Sequence, residues 1–267
     1  MVARIRRLSR QKRVGHAGTL DPLAEGVLAV LLGRATRLAD FIQAGRKTYV
    51  ARVQLGTSTE TDDREGRITA SSPIPSLSPV SIESVLSRFR GEILQTPPKY
   101  SALKVAGQRA YALARAGAPV ELAPRPVTIE ALTLVDHTET VLTLEVTCSR
   151  GTYIRALGRD VAQALGTVGH MASLLRTRVG PFVLTESVSL DELSSLPVAQ
   201  ALLAADRAIP EAPSCHVAPD DARRFANGQP IRAAGLHGNH VWVYDPVGRL
   251  IGLGTADGDW LRPRLAL

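Results

Sequence analysis

The sequence predicts an α+β protein that consists of one large domain and a small β domain after it. Strand-like and helix-like segments follow each other irregularly through most of the chain, without an internal repeat. The length of 267 residues exceeds that of one small module. Beyond a proline-rich stretch at 208–219, short β-like runs are separated by Gly-Asn and Asp-Gly turn signals, which are typical of a small barrel or sandwich.

The first predicted elements surround a polar turn. Residues 2–8 carry apolar side chains at three-residue intervals between arginines, as on one face of a short helix. The apolar run 26–33 is bounded by glycines and predicts a buried strand, and residues 35–42 predict a helix. Residues 49–55 alternate between two faces, which predicts a strand with Tyr49 at its start.

Later elements follow in the same irregular order up to the predicted domain boundary at 208–219. They are a loop at 57–66, a helix around 82–89, an extended stretch and a helix within 95–117, strands at 127–135 and 141–149 that could pair, and a helix from the turn at Gly151 to Gly166.

The charge of the chain is basic and comes almost entirely from arginine. There are 32 Lys and Arg residues against 25 Asp and Glu, a formal net charge of +7, and only four of the cations are lysines. Arginine suits bidentate contacts with phosphate, so the composition favours a polyanionic partner such as nucleic acid. Arginines in 4–13, in 109–125 and after the boundary could line an RNA track. The alternative is that the arginine content reflects a compositional bias and that the arginines are scattered evenly over the surface.

Cysteine usage and apolar runs exclude several classes of protein. Cys148 and Cys215 lie far apart without CxxC or histidine spacing, which argues against a disulfide framework and against a zinc site. The basic N-terminus leads into a glycine-rich turn where a signal peptide would need an apolar region, and no apolar run approaches the length of a membrane span. We expect a soluble cytoplasmic protein that does not contact a membrane.

The turn "RVGHAGTLDP" delivers a single carboxylate, Asp21, directly before a proline. Glycosidases pair two acids and metal hydrolases cluster His, Asp and Glu, but Asp21 has no such neighbour in sequence. His16 lies five residues earlier, which is not the spacing of a metal-binding motif. The local pattern by itself therefore indicates an ordinary turn or helix-capping aspartate.

Longer strings change that interpretation. GHAGTLDPLAEGVLAVLLGRATR, KTYVARVQLGTSTETDDREG, PPKYSALKVAGQRAYALARAG, CSRGTYIRAL and GHMASLLRTRVGPF occur in this order. Together they resemble bacterial tRNA pseudouridine synthases of the TruB type, and the resemblance covers nearly the whole chain. It implies the pseudouridine synthase fold, a mainly antiparallel mixed sheet with flanking helices, for residues 1–208. For residues 213–267 it implies a PUA-like RNA-binding domain.

The resemblance also implies an activity, the isomerisation of the T-loop uridine at tRNA position 55 to pseudouridine. This reaction involves no redox change and no net hydrolysis, so we expect no cofactor and no metal. Asp21 would be the catalytic nucleophile, acting on the base, at C1′ or in elimination to a glycal, and these routes stay open. Because burial disfavours a charged carboxylate, the acid needs a cation, which the family implies to be Arg155. Without the resemblance, Arg155 would be read as a surface arginine.

The target nucleotide must leave the structured loop, and a flipped base is held by aromatic and apolar faces. The resemblance assigns base stacking to Tyr49, which is also a candidate for handling the C5 proton. Tyr153 and Leu174 would form other walls of the uridine pocket, and His16 would help to disrupt the RNA loop. A tyrosine packed in the core is the alternative for Tyr49. Asp63 is either a substrate contact or a solvated loop acid.

The chain departs from the family pattern at three places. The family begins with a strand that carries a Lys-Pro-x-Gly-x-Thr-Ser-type motif, whereas this chain starts within the following helix, so an edge of the central sheet is expected to be missing. Ala17 stands where threonine is common. Leu175 stands where an arginine often precedes Arg176, which would remove a phosphate or backbone contact.

The sequence leaves three alternatives to a stand-alone pseudouridine synthase. A noncatalytic tRNA-binding or tRNA-folding protein could retain the same fold. A glycosidase with two carboxylates would need a second acid near Asp21 and would release free base or sugar. The catalytic subunit of an RNA-guided pseudouridylation particle is related, but its longer tail is not suggested here. We expect a monomer that acts on the tRNA T-arm.

Overall fold

The computed structural model describes residues 1–105 and 107–267. The α-helices are α1 (Val2–Ser9), α2 (Ala39–Ala44), α3 (Pro79–Leu86), α4 (Ala110–Arg115), α5 (Ile154–Ala164), α6 (Leu190–Ser195) and α7 (Pro219–Ala226). Short 3₁₀ helices cover Gly33–Leu38, Ser87–Phe89, Leu184–Glu186, Val198–Ala201 and Ala205–Ala208.

The strands before the proline-rich stretch are β1 (Val14–His16), β2 (Ala24–Gly26), β3 (Val30–Leu32), β4 (Lys47–Leu55), β5 (Thr57–Thr59), β6 (Ile68–Ser71), β7 (Gly91–Gln95), β8 (Lys104–Val105), β9 (Gln108–Arg109), β10 (Arg125–His137), β11 (Val141–Cys148), β12 (Gly169–Val179) and β13 (Phe182–Val183). The later strands are β14 (Ser214–His216), β15 (Ile231–Arg232), β16 (Gly238–Tyr244), β17 (Leu250–Asp257) and β18 (Trp260–Ala266).

The central sheet has the strand order β13-β12-β4-β11-β10-β7 in the part of the chain that the structure describes. Its pairs are antiparallel, apart from the short strand β2, which runs parallel to β12. Strand β4 lies between β11 and β12, and every second residue from Lys47 to Leu55 is buried. This alternation places Tyr49 and Val53 on the same inward face.

The main core lies between this inward face and two helices. Ile82 and Leu86 of α3 and Leu157 and Val161 of α5 pack with the buried residues of β4, β10 and β11. Fully burying such a side chain contributes about 1.5–3 kcal/mol relative to leaving it exposed. The helix α5 is thereby fixed against the sheet, and its first turn lies where the functional residues converge.

Several predicted elements are confirmed. The strands predicted at 127–135 and 141–149 are β10 and β11 and pair with each other. The helix after Gly151 is α5, and the following glycine, Gly166, has a φ of 85°. The helix within 95–117 is α4, with Gly117 at φ 73°.

Other predicted elements differ in detail. The run 26–33 is not one strand, because Gly26 adopts φ 101° and Val27 leaves the strand direction before β3 begins. Residues 35–42 start as a 3₁₀ helix and become α-helical only at Ala39. The predicted loop 57–66 contains β5, which pairs with β6. Strand β12, at the centre of the functional region, was not predicted.

The chain from Ser214 onward, which begins inside the proline-rich stretch, forms a curled half-barrel with strand order β14-β16-β17-β18-β15 among the described residues, and α7 lies against it. Its own core includes Phe225, Val241 and Leu261. Trp242 and Leu265 belong to a second cluster, shared with Ala17, Val27 and other residues of the first part of the chain. The half-barrel thus shares an apolar core with the first part of the chain. Within the described ranges, no helix combines the length and apolar character needed to cross a membrane.

Candidate active site

Asp21 lies on a short connection between β1 and β2. β1 pairs with β3, and the intervening residues include Gly18 at φ 93°, a conformation that favours glycine. The Asp21 carbonyl accepts a hydrogen bond from Ala24 N at 2.9 Å, which closes a turn around Pro22. About a third of the Asp21 side chain, 34%, is exposed. The carboxylate is therefore held in a turn and remains accessible from solvent.

Arg155 is a buried cation that pairs with this carboxylate. It lies in the first turn of α5 and its side chain is 6% exposed. Arg155 Nε donates to Asp21 Oδ2 at 2.8 Å, Nη1 donates to the Thr61 carbonyl at 2.7 Å, and Nη2 donates to the Tyr100 carbonyl at 3.0 Å. All three guanidinium nitrogens are engaged, so the direction of Nε toward Asp21 is fixed. The pairing implied by the resemblance is present, and the reading of Arg155 as a surface arginine is wrong.

Asp63 is a second carboxylate that forms an ion pair with Arg155. Its Oδ2 lies 3.3 Å from Arg155 Nη1, and its side chain is 6% exposed. Its Oδ1 accepts hydrogen bonds from Thr61 Oγ1 and from the backbone of Glu65. The loop is pinned to the sheet because Met171 N donates to the Asp62 carbonyl and the Met171 carbonyl accepts from Arg64 N. The reading of Asp63 as a solvated loop acid is therefore wrong.

Tyr49 and Tyr153 lie close enough to Asp21 for its charge to act on them. Burial raises the pKa of Tyr49 to about 12, with the Asp21 charge as a smaller contribution in the same direction. Burial also raises the pKa of Tyr153, and the Asp21 charge again adds to the increase. Both phenols are therefore protonated at neutral pH. The structure brings Asp21, Arg155 and these two tyrosines together.

Tyr153 is held in place by Gln95, which the sequence did not single out. The Gln95 side chain is buried, accepts from Tyr153 N at 2.8 Å and donates to the Tyr153 carbonyl at 3.1 Å. This reciprocal pair fixes the backbone just before α5 begins. A glutamine at the end of a strand gives no recognisable signal in the sequence, because its partner is 58 positions away.

Leu174 and His16 complete the set of predicted residues. Leu174 is 6% exposed and belongs to the same apolar cluster as Tyr49 and Leu23. It lies on β12, opposite Ala51 on β4. His16 ends β1 and is half-buried, and within the described residues its Nδ1 atom has no hydrogen-bond partner.

Two further buried cations, Lys47 and Arg176, lie beneath the turn, and no motif in the sequence marks them as part of the site. Lys47 Nζ donates to the carbonyls of Gln43 and Gly45, and burial lowers its pKa. Arg176 is 1% exposed and donates to carbonyls on both sides of Asp21. Lys47 on β4 and Arg176 on β12 occupy inward-facing positions where an alternating strand pattern leads one to expect apolar residues. The sequence pattern of these strands therefore does not show that the two cations are buried at the site.

The arrangement offers one accessible carboxylate that a buried guanidinium pairs with and orients. Such a group can act as a nucleophile. The second acid, Asp63, is closed to solvent and bound to the same arginine. It is therefore not placed to activate a water molecule, as an inverting glycosidase would require.

Comparison with known families identifies the class of protein. A model described as the TruB family pseudouridylate synthase N-terminal domain matches residues 6–154. A tRNA pseudouridylate synthase B C-terminal domain matches residues 155–209, and a pseudouridine synthase II TruB C-terminal domain matches residues 213–265. These matches define a pseudouridine synthase with its C-terminal domain.

Curated relatives agree over most of the chain. A protein named tRNA pseudouridine synthase B from Bradyrhizobium diazoefficiens is 46% identical, with 88% of this chain and 70% of the relative covered. A relative of the same name from Thermobifida fusca is 42% identical, with 95% and 88% covered. The chain belongs to the TruB family of pseudouridylate synthases and is an RNA pseudouridine synthase.

Solved structures agree on the fold. The structure of an H/ACA ribonucleoprotein bound to a substrate RNA containing 2′-deoxyuridine matches with a TM-score of 0.71 at 22% identity, covering 99% of this chain and 79% of that one. A Cbf5-Nop10-Gar1 complex matches with a TM-score of 0.69 at 24% identity, covering 96% and 74%. The fold is that of pseudouridine synthases, followed by a PUA-like half-barrel.

Proposed function

We propose that this enzyme converts the T-loop uridine at position 55 of tRNA to pseudouridine, with Asp21 as the nucleophile. The observation that carries the proposal is the ion pair between the accessible Asp21 carboxylate and the buried Arg155 guanidinium, at 2.8 Å. The tRNA substrate follows from the names of the relatives. The basic charge of the chain, +7, fits a polyanionic substrate.

The reaction breaks the bond between N1 of uracil and C1′ of the ribose, rotates the base and joins C5 to C1′, and the C5 proton is released while N1 takes up a proton. Asp21 attacks either the base or C1′, or assists elimination to a glycal. Arg155 pairs with the carboxylate and aims it, and Asp63 forms a second ion pair with Arg155. Because every guanidinium nitrogen is occupied before the substrate arrives, little reorganisation is needed at the moment of reaction.

The everted uridine is held by the side chains that surround Asp21. We assign base stacking to Tyr49 and the other walls of the pocket to Tyr153 and Leu174. At neutral pH the Tyr49 phenol, with its pKa near 12, is a hydrogen-bond donor. If it removes the C5 proton, it must first give up its own. His16, whose Nδ1 has no partner in the described structure, would fill space that the flipped nucleotide leaves in the RNA loop.

The domain roles follow the same proposal. We assign catalysis to residues 1–208 and additional RNA contact to the half-barrel at 213–267, which carries Arg232 and Arg264 on its surface. The protein would act as a cytoplasmic monomer. Cys148 and Cys215 do not form a disulfide with each other. Burial raises the pKa of the Cys148 thiol to about 11.

The substrate site can be tested with full-length tRNA transcripts. Each transcript carries 5-tritiated uridine, and a matched transcript has cytidine in place of the uridine at position 55. We expect one equivalent of tritium to be released from the first transcript and none from the second. Equal release from both transcripts would show that another uridine is the target, and release of free uracil would indicate glycosidase chemistry.

A further inference from the structure

We infer that Arg176 is a positioning residue that holds the backbone of the Asp21 segment, residues 18–27, in its reactive position. The inference rests on the proposed role of Asp21. Arg155 fixes the Asp21 side chain, whereas Arg176 fixes the main chain on both sides of it. The two arginines would therefore act on the same carboxylate in different ways.

The side chain of Arg176 connects both ends of this segment. Its Nη2 donates to the Gly18 carbonyl at 3.1 Å and its Nη1 to the Thr19 carbonyl at 3.2 Å, just before Asp21. Its Nε donates to the Val27 carbonyl at 2.8 Å, just after β2. A planar guanidinium with fixed donor directions can join three carbonyls at once, which a lysine ammonium on a flexible stem does less well.

The backbone of Arg176 holds the same segment. Val27 N donates to the Arg176 carbonyl at 2.8 Å, and Arg176 pairs with Gly26 in the parallel ladder of β2 and β12. The approach is so close that a Cβ built on Gly26 would lie 2.2 Å from the Arg176 carbonyl oxygen. The segment is thus attached to one residue by its main chain and by its side chain.

The charge of Arg176 is not neutralised by an acid, since it forms no salt bridge within the described residues. Burying a cation with only neutral partners is unfavourable, and an apolar residue would pack a strand at lower cost. Arg176 also lies directly opposite Tyr49 in the ladder of β4 and β12, where its charge partly opposes the effect of burial on the phenol. Its position therefore links the Asp21 segment to the stacking tyrosine.

Arg90 provides a matched control. Its Nε and Nη2 both donate to the Leu132 carbonyl, and its Nη1 pairs with Glu83 at 2.6 Å. Leu132 lies on β10, which is separated from β12 by β4 and β11 in the central sheet. Arg90 is a second arginine that holds a backbone carbonyl, but it lies at β10 rather than at the Asp21 segment. The Arg90 side chain is 34% exposed and Arg176 is 1% exposed, so Arg90→Lys controls for the loss of an arginine-to-carbonyl hydrogen bond and not for the loss of buried packing.

The test compares Arg176→Lys, Arg176→Gln, Arg90→Lys and Asp21→Asn in the full chain. Single-turnover tritium release from a T-arm transcript gives the rate constant, filter binding gives the Kd, and circular dichroism gives the folded fraction. We expect both Arg176 variants to lose about 10- to 100-fold in rate per folded molecule, with the Kd within about threefold of wild type. Arg90→Lys should keep the wild-type rate.

Hydrogen exchange supplies a second measurement, which separates a local loosening of the Asp21 segment from a general loss of stability, while the rate per folded molecule tests the link to catalysis. Amides in residues 18–27 should exchange faster in Arg176→Lys, whereas those of α5 should not change. The inference is overturned if both Arg176 variants keep the wild-type rate, if they lose binding rather than rate, or if they are unfolded while Arg90→Lys is folded. An active Asp21→Asn variant would instead contradict the proposed function.

Discussion

The Nε atom of Arg155 donates a hydrogen bond to Oδ2 of Asp21 at 2.8 Å, across 134 positions of the chain. The arginine is almost completely buried, whereas about a third of the aspartate side chain is open to solvent. The pair therefore has one fixed partner and one accessible partner. This asymmetry suits a nucleophile that must carry its charge when the substrate displaces the water around it.

Replacing Arg155 by lysine should impair catalysis much more than binding. A lysine retains the positive charge, but it cannot donate at once to Asp21, Thr61 and Tyr100 as Arg155 does. Misplacing the carboxylate by about 1 Å is expected to reduce the single-turnover rate about 100-fold. Filter binding with a T-arm transcript should give a Kd close to that of wild type. A variant with a normal rate would show that the direction of the guanidinium is unimportant.

Removing the buried carboxylate of Asp63 should lower stability. In Asp63→Ala, Glu65 N loses its side-chain acceptor, Thr61 Oγ1 keeps only its longer bond to the carbonyl of residue 63, and Arg155 loses one of its two acids. The free energy of unfolding in urea should fall by about 1–3 kcal/mol. Asp191→Ala breaks an exposed pair with Arg4 and should change it by less than about 1 kcal/mol. Equal effects of the two changes would contradict the burial of Asp63.

The dependence of the unfolding free energy on pH above 9 should reveal that Tyr49 is buried. Its pKa is raised from 10.0 to about 12 by burial, so the folded state keeps the proton after the unfolded state has lost it. The stability that this group contributes is complete below pH 10 and is lost as the pH rises toward 12. In Tyr49→Phe this loss is absent, so the stability of wild type should fall more steeply than that of the variant over this range. Chemical denaturation at pH 9, 10, 11 and 12 measures the difference, and parallel curves would contradict it.

The close approach of Gly26 to β12 should make this position intolerant of a side chain. Gly26→Ala places a methyl group against the Arg176 carbonyl and also requires φ 101°. We expect a loss of more than about 3 kcal/mol in unfolding free energy. The control is Gly151→Ala, where φ is 86° but no atom lies within 4 Å, and the cost should be about 1–2 kcal/mol. Thermal melting compares the two variants, and a stable Gly26→Ala protein would exclude the close contact.

The sequence predicted β4 from its alternating faces, β10 and β11 from their strand-like runs, and α5 from the glycines at its two ends. The pairing of Asp21 with Arg155 was expected only from the family resemblance, since no local pattern joins residues so distant. Strand β12 escaped prediction because Arg176 occupies an inward position and two bulges shift its register, at Met171/Ser173 and at Arg176/Arg178. Asp63 looked solvated because its acidic loop gives no sign of the bridge to Met171 that buries it.

The central claim is that the Asp21 carboxylate performs the reaction. The most direct test is single-turnover tritium release from a 5-tritiated T-arm transcript with excess Asp21→Asn enzyme, alongside wild type. Asparagine keeps the shape of the side chain and removes its charge, so we expect no release from the variant over hours and unchanged RNA binding. Release by Asp21→Asn within about tenfold of the wild-type rate, a difference of only about 1.4 kcal/mol in the barrier, would contradict the account.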